Sequence, residues 1–131
     1  MRILFFLFLS FSSIVFAGTW ERINETSLRF SGHIEKGDLE KLESTLQSDD
    51  KTLYLDSKGG DAEVGVRLAL KLLPNKMTVI VDGFCASSCA NYLFTVGFKK
   101  EIRKGWIGYH GNMTALLAKD WDKSAKEMKE K

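Results

Sequence analysis

The sequence predicts an α/β protein with a mostly parallel sheet. Apolar, strand-like runs alternate with segments of helical periodicity, an order typical of βαβ units with right-handed crossovers. The run at 77–81, MTVIV, is apolar apart from Thr78 and indicates a strand covered on both faces. The chain has 131 residues, enough for one domain at 18–131 after a predicted leader at 1–17.

The first half of the domain predicts two strands and two helices. Ser27–Ile34 alternates apolar and polar residues like a strand. A helix then opens with Asp38 as its N-cap and carries an apolar stripe of Leu39, Leu42 and Leu46. After a short strand at Thr52–Leu55, Asp61 can cap a second helix that ends at Pro74. Broad burial is expected for the apolar positions of that helix, Val64, Val66, Leu68, Ala69, Leu70, Leu72 and Leu73.

The second half continues the alternation. The strand Met77–Val81 precedes an elbow of small residues, and Ser87–Val96 is predicted to be helical. Lys99–Arg103 forms a polar connection or short strand, and Trp106–Tyr109 forms a strand. From Met113 onward, apolar residues recur at intervals of three and four, which predicts a terminal amphipathic helix.

Residues 1–17 have the pattern of a secretory signal peptide. Arg2 precedes an apolar run of about a dozen residues, which is shorter than the roughly 20 needed to span a bilayer, and cleavage is expected after Ala17. We therefore expect an exported protein, periplasmic or extracellular, with no stable membrane span after cleavage. Export would place Cys85 and Cys89 where a disulfide is permitted.

Composition excludes several classes of function. The net charge of +2 does not favour nucleic acid as a partner. Two cysteines without a close histidine do not form a zinc site, and we expect neither a metal nor a cofactor. The spacing of Cys85 and Cys89 also differs from the redox C-x-x-C motif. It leaves open whether these residues form a bridge that pins the elbow or remain two buried thiols.

Three motifs follow three successive predicted strands: Gly59-Gly60, Ser87 and His110. Because functional groups collect at the carboxyl ends of parallel strands, these motifs are expected to meet. A hydroxyl nucleophile, an imidazole base and backbone N–H donors are the parts that acyl transfer requires. Taken singly, each motif has a simpler interpretation as a turn, a helix cap or a loop residue.

The segments LYLDSKGGD, GFCASSCANYLFTVG and IGYHG resemble three motifs of the Clp protease proteolytic subunit and its wider superfamily, which includes signal peptide peptidases and crotonases. The resemblance runs from Leu28 to His110 in one register. It implies a Clp/crotonase-like fold of repeated ββα/βαβ units. It also implies Ser87 as nucleophile, His110 as general base, and the N–H groups of Gly59 (or Gly60) and Ser88 as oxyanion donors.

The chain departs from the family pattern in two places. Lys58 stands where the family usually has proline before the two glycines. The family's triad acid lies well beyond the histidine, and the C-terminal part that carries it is expected to be lacking here. Asp120 and Asp122 follow His110 but match no family motif. Because the acid orients the imidazole, its loss costs about 10⁴-fold in a serine protease.

The expected function is that of an exported serine hydrolase, a peptidase acting on peptide or protein substrates. A homo-oligomer is compatible with this function. The alternative is a catalytically inactive or truncated relative that serves as a binding or scaffold protein. A crotonase-type enzyme acting on acyl-CoA is a weaker third option, because export argues against coenzyme A chemistry.

Overall fold

The computed structural model describes residues 18–110. The predicted leader, the predicted terminal helix, Asp120 and Asp122 lie outside these residues. Within them, a five-stranded mixed sheet and a few helices form an α/β arrangement, which confirms the coarse fold class.

The strands occur in the sheet in the same order as in the chain. Strand β1 (Thr19–Asn24) is antiparallel to β2 (Ser27–Ile34). Strand β2 and the three that follow it, β3 (Thr52–Gly60), β4 (Thr78–Ala86) and β5 (Lys99–Gly108), are parallel to one another. Such sequential parallel neighbours require crossovers, and right-handed crossovers place the intervening helices on one face of the sheet. The helical elements between the strands are α1 Asp38–Thr45, α2 Ala62–Leu72, a 3₁₀ turn Leu73–Asn75 and a π-helical turn Cys89–Phe94.

The sheet is larger than the sequence predicts. Strand β1 was not expected, because its residues are mostly exposed and polar and carry little periodic signal. The polar segment Lys99–Arg103 and the apolar segment Trp106–Tyr109 largely merge into the single strand β5, which is exposed along most of its length. Strand β3 runs on through Gly60, so the predicted glycine turn forms the end of a strand.

The core lies between the sheet and its helices. From the sheet it takes the buried side chains of alternate residues, such as Leu53 and Leu55 on β3. Leu42 of α1 and Leu68 of α2 close over them, and the π-helical turn contributes Leu93. Removing a buried leucine of this kind usually lowers the free energy of unfolding by about 2–5 kcal/mol.

Two details of the helices differ from expectation. Gly37, rather than Asp38, is the N-cap of α1, and its φ of +96° suits a residue without a side chain. Asp38 lies inside the first turn, where its buried carboxylate accepts hydrogen bonds from the Glu35 N–H and the Lys41 ammonium. Asp61 caps α2 as predicted by accepting the Val64 N–H at 2.9 Å.

The prediction of broad burial along α2 is wrong. Leu68 and Leu72 are buried, but Leu70 is 63% exposed and Leu73 54% exposed. Only one face of α2 meets the sheet, α1 and the π-helical turn, so apolar residues on the outer face remain in solvent.

The buried carboxylate of Asp50 pairs with the partly exposed guanidinium of Arg22, and this ion pair makes stability depend on pH. Its carboxylate accepts two hydrogen bonds from Arg22, at 2.8 and 3.0 Å, and one from the Gln47 N–H at 2.7 Å. Burial alone would raise the pKa of Asp50, but the hydrogen bonds and the charges of Arg22 and Lys51 outweigh it and hold the pKa below its ordinary value.

We expect Asp50→Asn to lower the free energy of unfolding by about 2 kcal/mol at neutral pH, because Arg22 loses its charged acceptor. A carboxyl group whose pKa is lower in the folded state stabilises the fold above its unfolded pKa of about 4, and that contribution disappears as the pH falls through the folded value. Urea unfolding at neutral and acidic pH should therefore show the two proteins converging in acid. A constant difference in stability would contradict this assignment.

Candidate active site

Ser87 occupies a sharp elbow between β4 and the π-helical turn. Its φ is +55°, a left-handed conformation that is rare for a residue with a side chain and costs about 1–2 kcal/mol. The Ser87 N–H donates to the Gly108 carbonyl at 2.9 Å, which ties the elbow to the end of β5. Strained residues of this kind cluster at functional sites, so the backbone at Ser87 is itself informative.

The structure brings His110 onto Ser87. The parallel register pairs Ala86 with Gly108, so Ser87 and His110 both follow the end of this ladder. The His110 Nε2 lies 2.5 Å from the Ser87 Oγ, within reach for proton transfer between hydroxyl and imidazole. Ser87 is half-buried and His110 exposed, so solvent and substrate can reach the pair.

Ser88 has a different environment from Ser87. It is 4% exposed, and its hydroxyl donates to the Gly60 carbonyl at 2.8 Å. This bond fastens the end of β3 to the elbow. Of the two adjacent hydroxyls, therefore, that of Ser87 meets the imidazole and that of Ser88 is engaged in holding the glycine pair.

The glycine pair touches the elbow directly. Gly59 has a φ of +90°, and a Cβ atom on it would lie 2.6 Å from the Ala86 oxygen and 2.8 Å from the Ser88 nitrogen. No residue other than glycine could fit this contact without a shift in one of the two backbones. The three predicted motifs, remote in sequence, thus meet at the carboxyl ends of β3, β4 and β5.

One of the predicted oxyanion donors is already engaged. The Gly59 N–H donates to the Ser57 Oγ at 3.1 Å, and the Ser57 hydroxyl in turn donates to the Gly32 carbonyl at 2.6 Å. For the Gly59 N–H to serve an oxyanion, it would have to exchange or share its bond to Ser57.

Sequence reasoning missed two residues that support the site. Ser57 is buried and links the glycine pair to β2. Asn91 follows Ser87 by one helical turn; its N–H donates to the Ser87 carbonyl at 2.8 Å, and its side-chain amide donates to the His110 carbonyl at 3.5 Å. The i to i+4 spacing of Ser87 and Asn91 was the available signal, since such residues share a helix face.

Cys85 and Cys89 form a disulfide across the elbow, with their Cα atoms 5.2 Å apart. Both residues are fully buried, one at the end of β4 and the other at the start of the π-helical turn. The bridge therefore joins the two elements that flank Ser87. Because it links the residues on either side of Ser87, the bridge restrains the unfavourable backbone conformation of that residue.

Replacing both cysteines with alanine should weaken the elbow. A loop this short contributes about 2 kcal/mol to stability on the chain-entropy account. We also expect the reaction of Ser87 with a fluorophosphonate to slow about tenfold, because the strained conformation loses its restraint. Urea unfolding and the labelling rate check the two effects, and reduced wild-type protein should behave like the double variant. An unchanged labelling rate in both would show that the bridge does not position Ser87.

The described residues offer little to bind a metal. Residues 18–110 contain no cluster of three or more His, Cys, Asp or Glu side chains that could hold an ion. In the same range, no helix is both long and apolar enough to cross a bilayer.

Comparisons of the chain with models of protein families, with curated proteins and with solved structures find no match. The resemblance to the Clp protease superfamily therefore stays a prediction from the three motifs.

Proposed function

We propose that the protein is an exported serine hydrolase that cleaves peptides by acyl transfer through Ser87 and His110. The observation that carries the proposal is the contact between the Ser87 hydroxyl and the His110 imidazole, 2.5 Å apart at a strained elbow. A serine hydroxyl is a weak nucleophile on its own, and an adjacent imidazole is its usual activator. The resemblance of the surrounding motifs to Clp-type peptidases supports the same chemistry.

In the first half of the reaction, the Ser87 Oγ attacks the substrate carbonyl carbon while His110 takes the hydroxyl proton. The tetrahedral intermediate collapses as the C–N bond breaks, and His110 gives its proton to the departing amine. In the second half, water attacks the acyl-serine ester and His110 accepts a proton from it. Breaking the ester bond returns that proton to Ser87 and releases the carboxylic acid.

The oxyanion of each intermediate needs backbone donors. We assign the Ser88 N–H as one donor, because it follows the nucleophile at the start of the π-helical turn, where amides lack intrahelical partners. The second comes from the glycine pair, through Gly60 or through a Gly59 N–H that releases Ser57. Losing one such donor typically costs about 10²–10³-fold in rate, so this assignment has a measurable consequence.

The proposal extends to family and location. We infer a Clp/crotonase-like fold for the domain, since sequential parallel strands with crossovers on one face accommodate its repeated units. Export is inferred from the leader pattern at 1–17, and the disulfide is compatible with an oxidising compartment. No cofactor is required by the chemistry.

The test is covalent labelling of the mature protein with a fluorophosphonate, followed by mass mapping of the modified residue. We expect label on Ser87 in the wild type and none in Ser87→Ala. Ser88→Ala is the control at the adjacent serine: label should still be found on Ser87, even if the labelling rate falls. Circular dichroism and urea unfolding should show that Ser87→Ala remains folded.

A folded wild-type protein that takes no label, or equal labelling after Ser87→Ala, would end the hydrolase proposal. The fold would then serve a binding or scaffold role, in which Ser87→Ala should leave biological activity unchanged.

A further inference from the structure

A cavity lies beside the glycine pair, at the carboxyl ends of β2, β3 and β4. It has a volume of about 450 Å³, within the range of pockets that accept ligand groups. Its position follows from the chain: Ser57 and Lys58 line it immediately before Gly59, and Phe84 lines it three residues before Ser87. A substrate whose carbonyl reached Ser87 would therefore present a nearby side chain to this cavity.

Lys58 gives the cavity a positive charge. It is exposed, and no ion pair found among residues 18–110 includes it. His33 lines the same cavity, and its Nε2 would lie 3.0 Å from a Cβ atom on Gly60. A cation and a ring nitrogen that can donate thus stand next to the predicted oxyanion turn.

The carboxylate in the cavity is turned toward the protein. The Asp56 Oδ1 accepts the Phe84 N–H at 3.0 Å, and both carboxylate oxygens lie within 3.0 Å of where a Cβ atom on Gly83 would be. Because a backbone N–H of β4 already binds one oxygen of the Asp56 carboxylate, this carboxylate cancels only part of the positive charge of Lys58 in the cavity. Lys58 remains the charge that an incoming side chain meets.

The remaining wall is apolar. Phe84 is 40% exposed, and its ring packs edge-on against Trp106 with centroids 5.4 Å apart. A side chain with an apolar stem and a negative end would match both parts of the cavity. Glutamate has this form, whereas glutamine has the same shape without the charge.

We propose that Lys58 makes the enzyme selective for peptides that carry a glutamate close to the scissile bond. The inference rests on the proposed hydrolase function and names the substrate class of that same site. Contact between an accessible ammonium and a carboxylate is worth up to about 1 kcal/mol, which corresponds to about a fivefold preference in kcat/KM for glutamate over glutamine.

The test uses pairs of short, internally quenched alanine peptides that differ only by Glu or Gln at one position on either side of the scissile bond. Wild type should prefer the Glu peptide about fivefold at one position. Lys58→Gln should bring that ratio to about one, and Lys58→Glu should invert it. Asp56→Asn, which removes the carboxylate lining the cavity, should raise it.

Lys99→Glu is the matched control. It makes the same charge change on an exposed lysine at the start of β5, at the opposite end of the sheet from Lys58. The Glu preference should persist in this variant, and its loss would mean that overall charge, not the cavity, sets the ratio.

Fluorophosphonate labelling separates the two proposals. If wild-type Ser87 is labelled but the Glu and Gln peptides react equally, or the ratio survives Lys58→Glu, the selectivity proposal is wrong and the hydrolase proposal stands. If Ser87 takes no label, both are wrong.

Discussion

Replacing His110 with alanine is expected to lower the rate of Ser87 labelling by about 10³-fold. General-base assistance contributes about 10²–10⁴-fold, and the 2.5 Å contact between the His110 Nε2 and the Ser87 Oγ is the route for the proton. Because the imidazole is exposed, its removal should leave the free energy of unfolding nearly unchanged. Quenching the labelling reaction at a series of times gives the labelling rate, and urea unfolding of the same preparation gives the free energy of unfolding.

Added imidazole distinguishes loss of the base from distortion of the elbow. The exposed position of His110 leaves room for a free imidazole beside Ser87 in the alanine variant, so labelling should recover in part. A slow variant that imidazole fails to rescue would point to a positioning role. A variant that labels as fast as wild type would refute the assignment of His110 as base.

The second large effect is expected at Gly59. Alanine here would place a Cβ atom 2.6 Å from the Ala86 oxygen, 2.8 Å from the Ser87 Cβ and 2.8 Å from the Ser88 nitrogen. Two of these atoms belong to the backbone, so the elbow or the end of β3 must move. We expect Gly59→Ala to destabilise the fold by about 3 kcal/mol, from overpacking added to the left-handed conformation. Labelling should fall at least about 100-fold.

Gly37→Ala is the matched control for this variant. Gly37 has a φ of +96°, close to the +90° of Gly59, but a Cβ atom on it would meet nothing within 4 Å. The control therefore carries the conformational cost, about 1–2 kcal/mol, without the collision. If Gly59→Ala and Gly37→Ala lose similar amounts of stability, and Gly59→Ala keeps the wild-type labelling rate, then Gly59 does not hold the elbow in place.

The local chemistry of the sequence was enough to find most elements and the members of the site. The bounds of β2 were predicted from alternation alone, and the cap at Asp61 from its residue type and position. Exposed strands were not predicted in full, because β1 and much of β5 have no buried face of their own. Pairing with a neighbouring strand makes these segments strands. The outer face of α2 was also misjudged, since apolar residues do not tell which side of a helix has a partner.

At the site, residue types indicated Ser87, His110 and the glycine pair, but several of their supports depend on contacts across the sheet. The bond from Ser57 to the Gly59 N–H and the occupied hydroxyl of Ser88 arise where β2, β3 and the elbow converge. The cysteine spacing left a bridge and two thiols equally open. The end of β4 and the start of the π-helical turn bring the two sulfurs together.

By itself the sequence determined which chemistry was available: a serine in a small-residue elbow, a histidine after a strand, and glycines where a side chain would obstruct. Tertiary structure decided which of these groups meet. The parallel register of β4 and β5 places Ser87 beside His110. The packing of β3 against the elbow brings the Ser88 hydroxyl within hydrogen-bond distance of the Gly60 carbonyl. The physical reason is that hydrogen bonds and steric contacts act over a few ångströms, and only chain folding brings residues 20 to 50 positions apart within that range.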